Sequence, residues 1–412
     1  MPAVTRQRRI LLLSPFPPRP EATHGGAHVI GRLVETLAEE HYVGVLFLRA
    51  PGEPGLGAGL GRRLALVEEV RRPDRQSGPG RRLAGLAHAA RGLGAGRPAW
   101  ASDWWVRGFA ARAGQVAAAW RPDVVQAEFH VMGQYLAGLR GYGALVLVEH
   151  EPGAAAARDR ATTARGPERV ARRLDAGAWR RYERRVLACA DAVVAFTERD
   201  RTELDALAAG VPVTRIPFGA DLPAEPLDPL GTDPPRIVFV GNLNHPPNAQ
   251  AALDLVHGIV PAVRRRRPDV VVEIVGEAPR ALARRLRVPG VVVAGVVPDV
   301  RPHLDRAAVV AVPARVGGGM RVKVVQTLAA GKALVATPRA VEGLDLVPGE
   351  QALIAETDDE LAAAITGLLD DPERRRALGV AARAWAGAHL RWEDVRASYD
   401  RLYASLEGSA RC

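Results

Sequence analysis

Lysine is nearly missing from this chain. Of 56 basic residues only two are lysines, Lys323 and Lys332, and both fall in one stretch, GGGMRVKVVQTLAAGK (317–332). Cysteine is equally scarce. Cys189 and Cys412 cannot build a disulfide framework or a cysteine metal cluster, and the usage suits a reducing compartment. Aromatic residues make up 5 % of the chain, so Ala, Val and Leu must carry the packing. No apolar run approaches the roughly 20 residues that a spanning helix needs. The opening RQRRILLLSPFPP mimics a secretory signal, but its apolar run, Ile10 to Leu13, is too short and ends in prolines. These absences lead us to expect a cytoplasmic protein, either soluble or peripheral on the inner face of a membrane. His, Asp and Glu do not recur at ligand spacing, so no metal is expected.

What is present is an uneven charge. Residues 1–220 hold 32 arginines against 22 carboxylates, a net of +10, whereas residues 221–412 hold 24 basic and 24 acidic side chains. A basic half attracts an anionic lipid surface or an anionic acceptor through long-range potential. Nucleic acid is not expected as a partner, because no binding module is visible and no aromatics interleave with the arginines.

Continuously apolar runs recur between helical patterns. They are RILLLS (9–14), VGVLFL (43–48), DVVQAE (123–128), ALVLVEH (144–150), DAVVAF (191–196) and VTRIPF (213–218). After a Pro/Asp-rich stretch come RIVFVG (236–241), VVVEIVG (270–276), VVVAG (291–295), VVAVPA (309–314), ALVATP (333–338) and ALIAE (352–356). Unbroken apolar runs mark strands buried on both faces, and alternation with helices marks parallel sheets. The expectation is α/β: two doubly wound, Rossmann-like domains, 1–222 and 236–381, joined by a linker at 223–235. A C-terminal helical stretch, 382–412, would pack back on the first domain. Residues 51–100 are poor in pattern, and Gly/Arg/Pro-rich segments such as RQSGPGRR read as a functional or disordered loop. The stretch WASDWWVRGFAARAGQVAAAW (100–120) reads as a single helix.

Glycine loops follow three of these strands. The first strand runs into Gly25-Gly26 and a helix whose apolar positions Val29, Ile30, Leu33, Val34 and Leu37 keep helical period. The first strand of the second half ends at Gly241-Asn242. VVAVPA ends in Gly317-Gly318-Gly319, followed by Arg321, Lys323 and an apolar-periodic helix around 324–330. Glycines let backbone N–H groups approach an anion, and a helix N-terminus adds its dipole. The order is not that of a Walker loop, and no G-x-G-x-x-G follows a strand. Two such domains facing each other would form a cleft whose glycine loops hold one diphosphate. The competing reading is a strand-to-helix turn carrying solvated cations.

The second half resembles a family 4 (group 1) glycosyltransferase of the GT-B fold. RIVFVGNLNHPPNAQAALDLVHGIVPAVRRRRPDVVVEIVG and VVVAGVVPDVRPHLDRAAVVAVPARVGGGMRVKVVQTLAAGKALVATPRAVEGL carry the likeness, the latter in the form Gly-Gly-Gly-x-Arg-x-Lys. VLACADAVVAFTERDRTEL and VTRIPFGADL resemble parts of the family's first domain. The resemblance implies a retaining, metal-independent hexosyl transfer from a nucleotide-diphosphate sugar to an unknown acceptor in glycan biosynthesis, with no cofactor. It implies that Arg321 and Lys323 hold the diphosphate with Gly25, Gly26, Gly241, Asn242 and Gly317–Gly319. It also implies that His150 touches the donor sugar and that position 326 meets the ribose. The metal-binding Asp-x-Asp of the other glycosyltransferase fold class is absent.

Three positions depart from the family pattern. The second of two glutamates eight apart is Gln326, the first being Gly318, as is usual in the Gly-rich subgroup. An asparagine before glycine is replaced by Phe218, and Asn242 stands where many members carry a phosphate-binding arginine. The alternative function is therefore a non-catalytic GT-B protein that binds a nucleotide or a partner. An epimerase would need acid–base carboxylates in the cleft, and a dinucleotide enzyme would need the missing glycine fingerprint.

Overall fold

The computed structural model describes residues 6–22, 24–73, 96–163 and 166–407. Two compact units emerge. The first comprises residues 1–20, 26–217 and 395–412, and the second 21–25 and 218–394. The RQSGPGRR segment and Cys412 lie outside the described residues.

The first unit is built on seven parallel strands: β1 (Arg9–Ser14), β2 (Tyr42–Arg49), β3 (Leu66–Arg71), β4 (Val124–Glu128), β5 (Ala144–Glu149), β6 (Ala192–Ala195) and β7 (Val213–Arg215). Their order is β3-β2-β1-β4-β5-β6-β7. Ile10 to Leu13 and Val146 to Val148 are fully buried, as unbroken apolar runs in a sheet covered on both faces require. Strand β3 was not expected from the sequence. Its LVEEVR alternates half-buried with exposed positions because it is an edge strand, so it lacks the continuous apolar signal of its neighbours.

The second unit holds six parallel strands: β8 (Arg236–Val240), β9 (Val271–Val275), β10 (Val291–Gly295), β11 (Val309–Val312), β12 (Leu334–Ala336) and β13 (Leu353–Ile354). Their order is β10-β9-β8-β11-β12-β13. The Pro/Asp-rich stretch 223–235 lies within this unit. The Leu227 N–H donates to the Ala330 carbonyl at 3.0 Å, and Lys332 holds the carbonyls of Asp228 and, at 2.9 Å, Asp305.

Two expected helices are each broken in two. The tryptophan-bearing stretch forms Ala99–Asp103 and Arg107–Trp120. At the break the Tyr135 hydroxyl accepts from Val106 N–H at 2.8 Å and donates to the Trp104 carbonyl at 2.6 Å. It thereby serves backbone groups that helix hydrogen bonds would otherwise use. The C-terminal stretch forms Pro372–His389 and Trp392–Ser405, and the chain re-enters the first unit at Val395. There His41 meets Asp400 at 2.6 Å, Arg8 meets Glu407 at 2.8 Å, and the Tyr403 hydroxyl reaches Gln126 at 2.6 Å. Among the described residues no helix is long and apolar enough to cross a membrane.

Candidate active site

In the second unit β8 has β9 on one side and β11 on the other, so the direction of winding reverses between β8 and β11. Ligands of open parallel sheets bind at the carboxyl ends of strands flanking such a point. Gly241-Asn242 follows β8 and the loop 313–321 follows β11. The two glycine loops of this unit therefore flank one switch point.

The β8 loop is shaped by close backbone approach. Gly276, just after β9, has φ +138°, and a Cβ there would lie 2.0 Å from the Gly241 carbonyl oxygen. A Cβ on Gly241 would lie 3.1 Å from both the Lys323 ammonium and the Asn248 amide carbon. Asn242 caps its own turn, its Oδ1 accepting from Asn244 N–H at 2.9 Å. The next helix starts with Pro246-Pro247, residues suited to a first turn that needs no N–H donors. Asn248 in that turn donates to the Asn242 carbonyl at 2.9 Å and accepts from Lys323 Nζ at 2.5 Å.

The β11 loop supplies the charge. Gly317 and Gly319 have φ of +97° and +71°, a region that strongly favours glycine. Arg321 folds its guanidinium onto the loop, donating to the carbonyls of Gly318 and, at 3.3 Å, Val316. The helix that follows is Val322–Ala329, and no side chain caps its N-terminus. Val324 N–H turns back to the Arg321 carbonyl at 2.9 Å, so the N–H groups of Val322 and Lys323 are the ones that can meet an anion. The half-buried Lys323 ammonium lies 4.9 Å over the Phe239 ring. Burial first, and the Arg321 charge second, pull its pKa down to about 7. An anion placed here would restore the proton. Gln326 stands three residues beyond Lys323, on the same face of the helix, and is half-buried.

Lys332 does not belong to this group. It is fully buried, and burial lowers its pKa to about 8. Its ammonium is spent on the carbonyls of Asp228 and Asp305. The clustering of the two lysines in sequence thus joins one residue of the glycine loop region to one that holds backbone carbonyls elsewhere in the unit. Phe218, in place of the family asparagine, is buried.

In the first unit, His150 follows β5 and lies beside the end of β4. Its Nε2 is 2.7 Å from Glu128, and its ring stacks on Phe129 at 3.7 Å with Phe196 edge-on at 4.8 Å. Phe129 has φ +69°, a strained value for a bulky residue. Gly25, the last residue of the segment 21–25 that belongs to the second unit, opens the helix Gly25–Leu37 after β1, and Gly26 next to it belongs to the first.

A reciprocal pair lies deeper. His130, beyond β4, meets Glu149 of β5 at 3.1 Å, and Glu183 completes a buried group. The Glu183 carboxylate accepts the N–H groups of Gly153, at 2.7 Å, and Ala154, at 3.1 Å, so it caps the helix Gly153–Thr163. Burial and then Glu149 raise Glu183 to about 7. Burial alone would lower His130, but Glu149 and Glu183 outweigh it and the net shift is upward. The three residues lie far apart in sequence, so no ligand spacing foretold the cluster. Asn248, Phe239 and Gly276 were likewise not singled out from sequence. Only the first carried a signal, an amide in the first turn of a helix that begins with two prolines.

A family model described as Glycosyl transferases group 1 matches residues 234–371, the span that contains β8 to β13 and both glycine loops of the second unit. This span is similar to the group 1 glycosyltransferases. The fold of the chain, two parallel-sheet α/β domains, is GT-B. Sucrose-phosphate synthase from Thermosynechococcus elongatus is 18 % identical with a TM-score of 0.67, covering 98 % of this chain and 100 % of that one. Anabaena Alr3699/HepE, in complex with UDP and glucose, is 15 % identical with a TM-score of 0.63, covering 97 % of this chain and 100 % of that one. The α,α-trehalose 6-phosphate synthase from Burkholderia multivorans is 13 % identical with a TM-score of 0.62, covering 98 % and 100 %. No curated protein matches the chain by sequence.

Proposed function

We propose that this protein is a retaining, metal-independent glycosyltransferase that moves a hexosyl group from a nucleotide-diphosphate sugar to an acceptor still to be identified. One observation carries the reading: an uncapped helix N-terminus, two cations and three glycines lie in one loop beside a topological switch point. The structural likeness to a protein bound to UDP and glucose supports a nucleotide-sugar donor.

As the glycosidic bond breaks, negative charge grows on the departing nucleoside diphosphate. Lys323, Arg321 and the first N–H groups of the helix Val322–Ala329 stabilise that charge. Gly241, Asn242 and Gly317–Gly319 let the phosphates approach the backbone. Gln326 meets the ribose, and His150 meets the transferred sugar. In a retaining transfer the leaving phosphate itself accepts the acceptor's proton, so the protein needs fixed cations more than a base. The basic first unit draws an anionic membrane surface or a lipid-linked acceptor, at the inner face of the membrane.

A second reading is favoured by Gln326, Phe218 and Asn242, which replace family residues: a GT-B protein that binds a nucleotide or partner without transfer. A panel of nucleotide sugars, assayed for binding and for hydrolysis or transfer, separates the two. Binding with turnover supports the enzyme, and binding without any turnover supports the second reading. The anomeric configuration of the product by NMR tests retention, and an inverted product overturns it. Activity abolished by EDTA and restored by Mg²⁺ or Mn²⁺ overturns metal independence.

A further inference from the structure

Four side chains of the first unit form one hydrogen-bonded series. The Tyr403 hydroxyl donates to Gln126 Oε1 at 2.6 Å, and Gln126 Nε2 donates to Glu128 Oε1 at 2.6 Å. Glu128 Oε2 faces His150 Nε2 at 2.7 Å. Gln126 and Glu128 are fully buried, and Tyr403 is 1 % exposed. Burial, and then Glu128, hold the Tyr403 phenol well above its ordinary pKa, so its O–H remains a donor.

The polarity of this series follows from donor chemistry. Tyr403 must donate, because Gln126 offers its oxygen to it. Gln126 then has only its NH₂ for Glu128. A carboxylate accepts at both oxygens, so the hydrogen between Glu128 and His150 belongs to the imidazole. When His150 is neutral, its proton therefore sits on Nε2, and Nδ1 carries the lone pair. The Phe129 and Phe196 rings fix the plane of the imidazole, and the His150 side chain keeps 8 % of its surface open.

We propose that Glu128 is a positioning residue that locks His150 as the Nε2–H tautomer, so that Nδ1 is presented as the hydrogen-bond acceptor for a ligand hydroxyl. The lock is set from the C-terminal helix through Tyr403 and Gln126, which lie 277 residues apart in sequence. It rests on the reading of His150 as the residue that meets the transferred sugar. Carboxylates that orient metal-bound histidines matter by about 10–100-fold through tautomer and ring orientation, and the same scale is expected of Glu128.

The test uses the full-length chain labelled with ¹⁵N in histidine, at a pH where the imidazole is neutral. A His150→Ala spectrum assigns the signals. We expect the wild type to show protonated Nε2 and unprotonated Nδ1 at His150. Glu128→Gln should mix the tautomers and lower kcat about 10–100-fold, with the donor KM changed less than about threefold. Glu128→Asp should recover part of both. Tyr403→Phe removes one hydroxyl only and serves if Glu128→Gln fails to fold. It should shift the tautomer ratio in the same direction by less. A wild type with the proton on Nδ1 would overturn the proposal, as would variants that leave the tautomer unchanged. Failure of the transferase reading looks different: no turnover on any nucleotide sugar, with the tautomer signal and its loss in Glu128→Gln intact, which supports the lock itself.

Discussion

Lys323 donates to Asn248 at 2.5 Å, across the loop where a side chain on Gly241 would touch both. Neither partner is a carboxylate, so the ammonium is held in place without being neutralised. With Arg321 nearby and burial around it, its pKa falls to about 7. A cation kept short of counter-charge in this way is suited to receive an anion.

A pH dependence follows. The free site loses its Lys323 proton as pH rises through about 7, and a bound diphosphate holds that proton on. Nucleoside diphosphate binding at about pH 8 should therefore take up close to one proton. Affinity should fall by up to about tenfold per pH unit above 7. Calorimetry in buffers of differing ionisation enthalpy measures the uptake. Binding with no proton uptake at that pH would mean that Lys323 does not meet the phosphates.

Gln326 offers one acceptor oxygen where a carboxylate would offer two. Gln326→Glu should therefore keep or raise donor affinity, by about 1 kcal/mol, through charge-assisted bonds to the ribose hydroxyls. The new negative charge is offset by Lys323 and Arg321. If Gln326→Glu abolishes binding while Gln326→Ala does not, position 326 is not a ribose acceptor.

The approach of Gly276 to the Gly241 carbonyl leaves no room for a methyl group, and φ +138° disfavours any other residue. Gly276→Ala should cost on the order of 2–4 kcal/mol of stability and displace the β8 loop. Denaturant unfolding reads the loss. A variant as stable as the wild type would show that the two loops are not packed as described.

The helix Gly166–Leu187 exposes Arg169, Arg172, Arg173 and Arg180, with Val170 and Leu174 also open to solvent. Flotation should recover the protein with anionic liposomes and not with neutral ones, each well-placed arginine contributing about 1 kcal/mol. Replacing these four arginines by glutamate should abolish recovery. Equal recovery with both lipids would assign the excess charge no such role.

The sheets were legible because their strands are buried on both faces, which writes unbroken apolar runs such as Ile10–Leu13 into the chain. Edge strand β3 escaped because one face of it is open. The glycine loops could be read because positive φ and close approach leave glycine as the residue that fits. Tyr403, Glu128 and His150 could not be joined from sequence, because their link is a long-range hydrogen-bond series with no periodic signature. Nor could Lys332 be told from Lys323. The two lysines share a composition signal and differ only in what surrounds each ammonium, backbone carbonyls in one case and the Asn248 side-chain amide in the other.

The central claim is that the loop holding Arg321 and Lys323 binds the diphosphate of a sugar donor. Calorimetric titration with UDP, GDP and ADP, on the wild type and on Lys323→Ala and Arg321→Ala, tests it most directly. At least one nucleotide should bind the wild type. Each variant should weaken that binding about 10–100-fold and lower kcat/KM with the matching nucleotide sugar about 10²–10³-fold, while the unfolding midpoint changes little. A wild type that binds none of the three, or variants that bind as tightly as the wild type, would contradict the account.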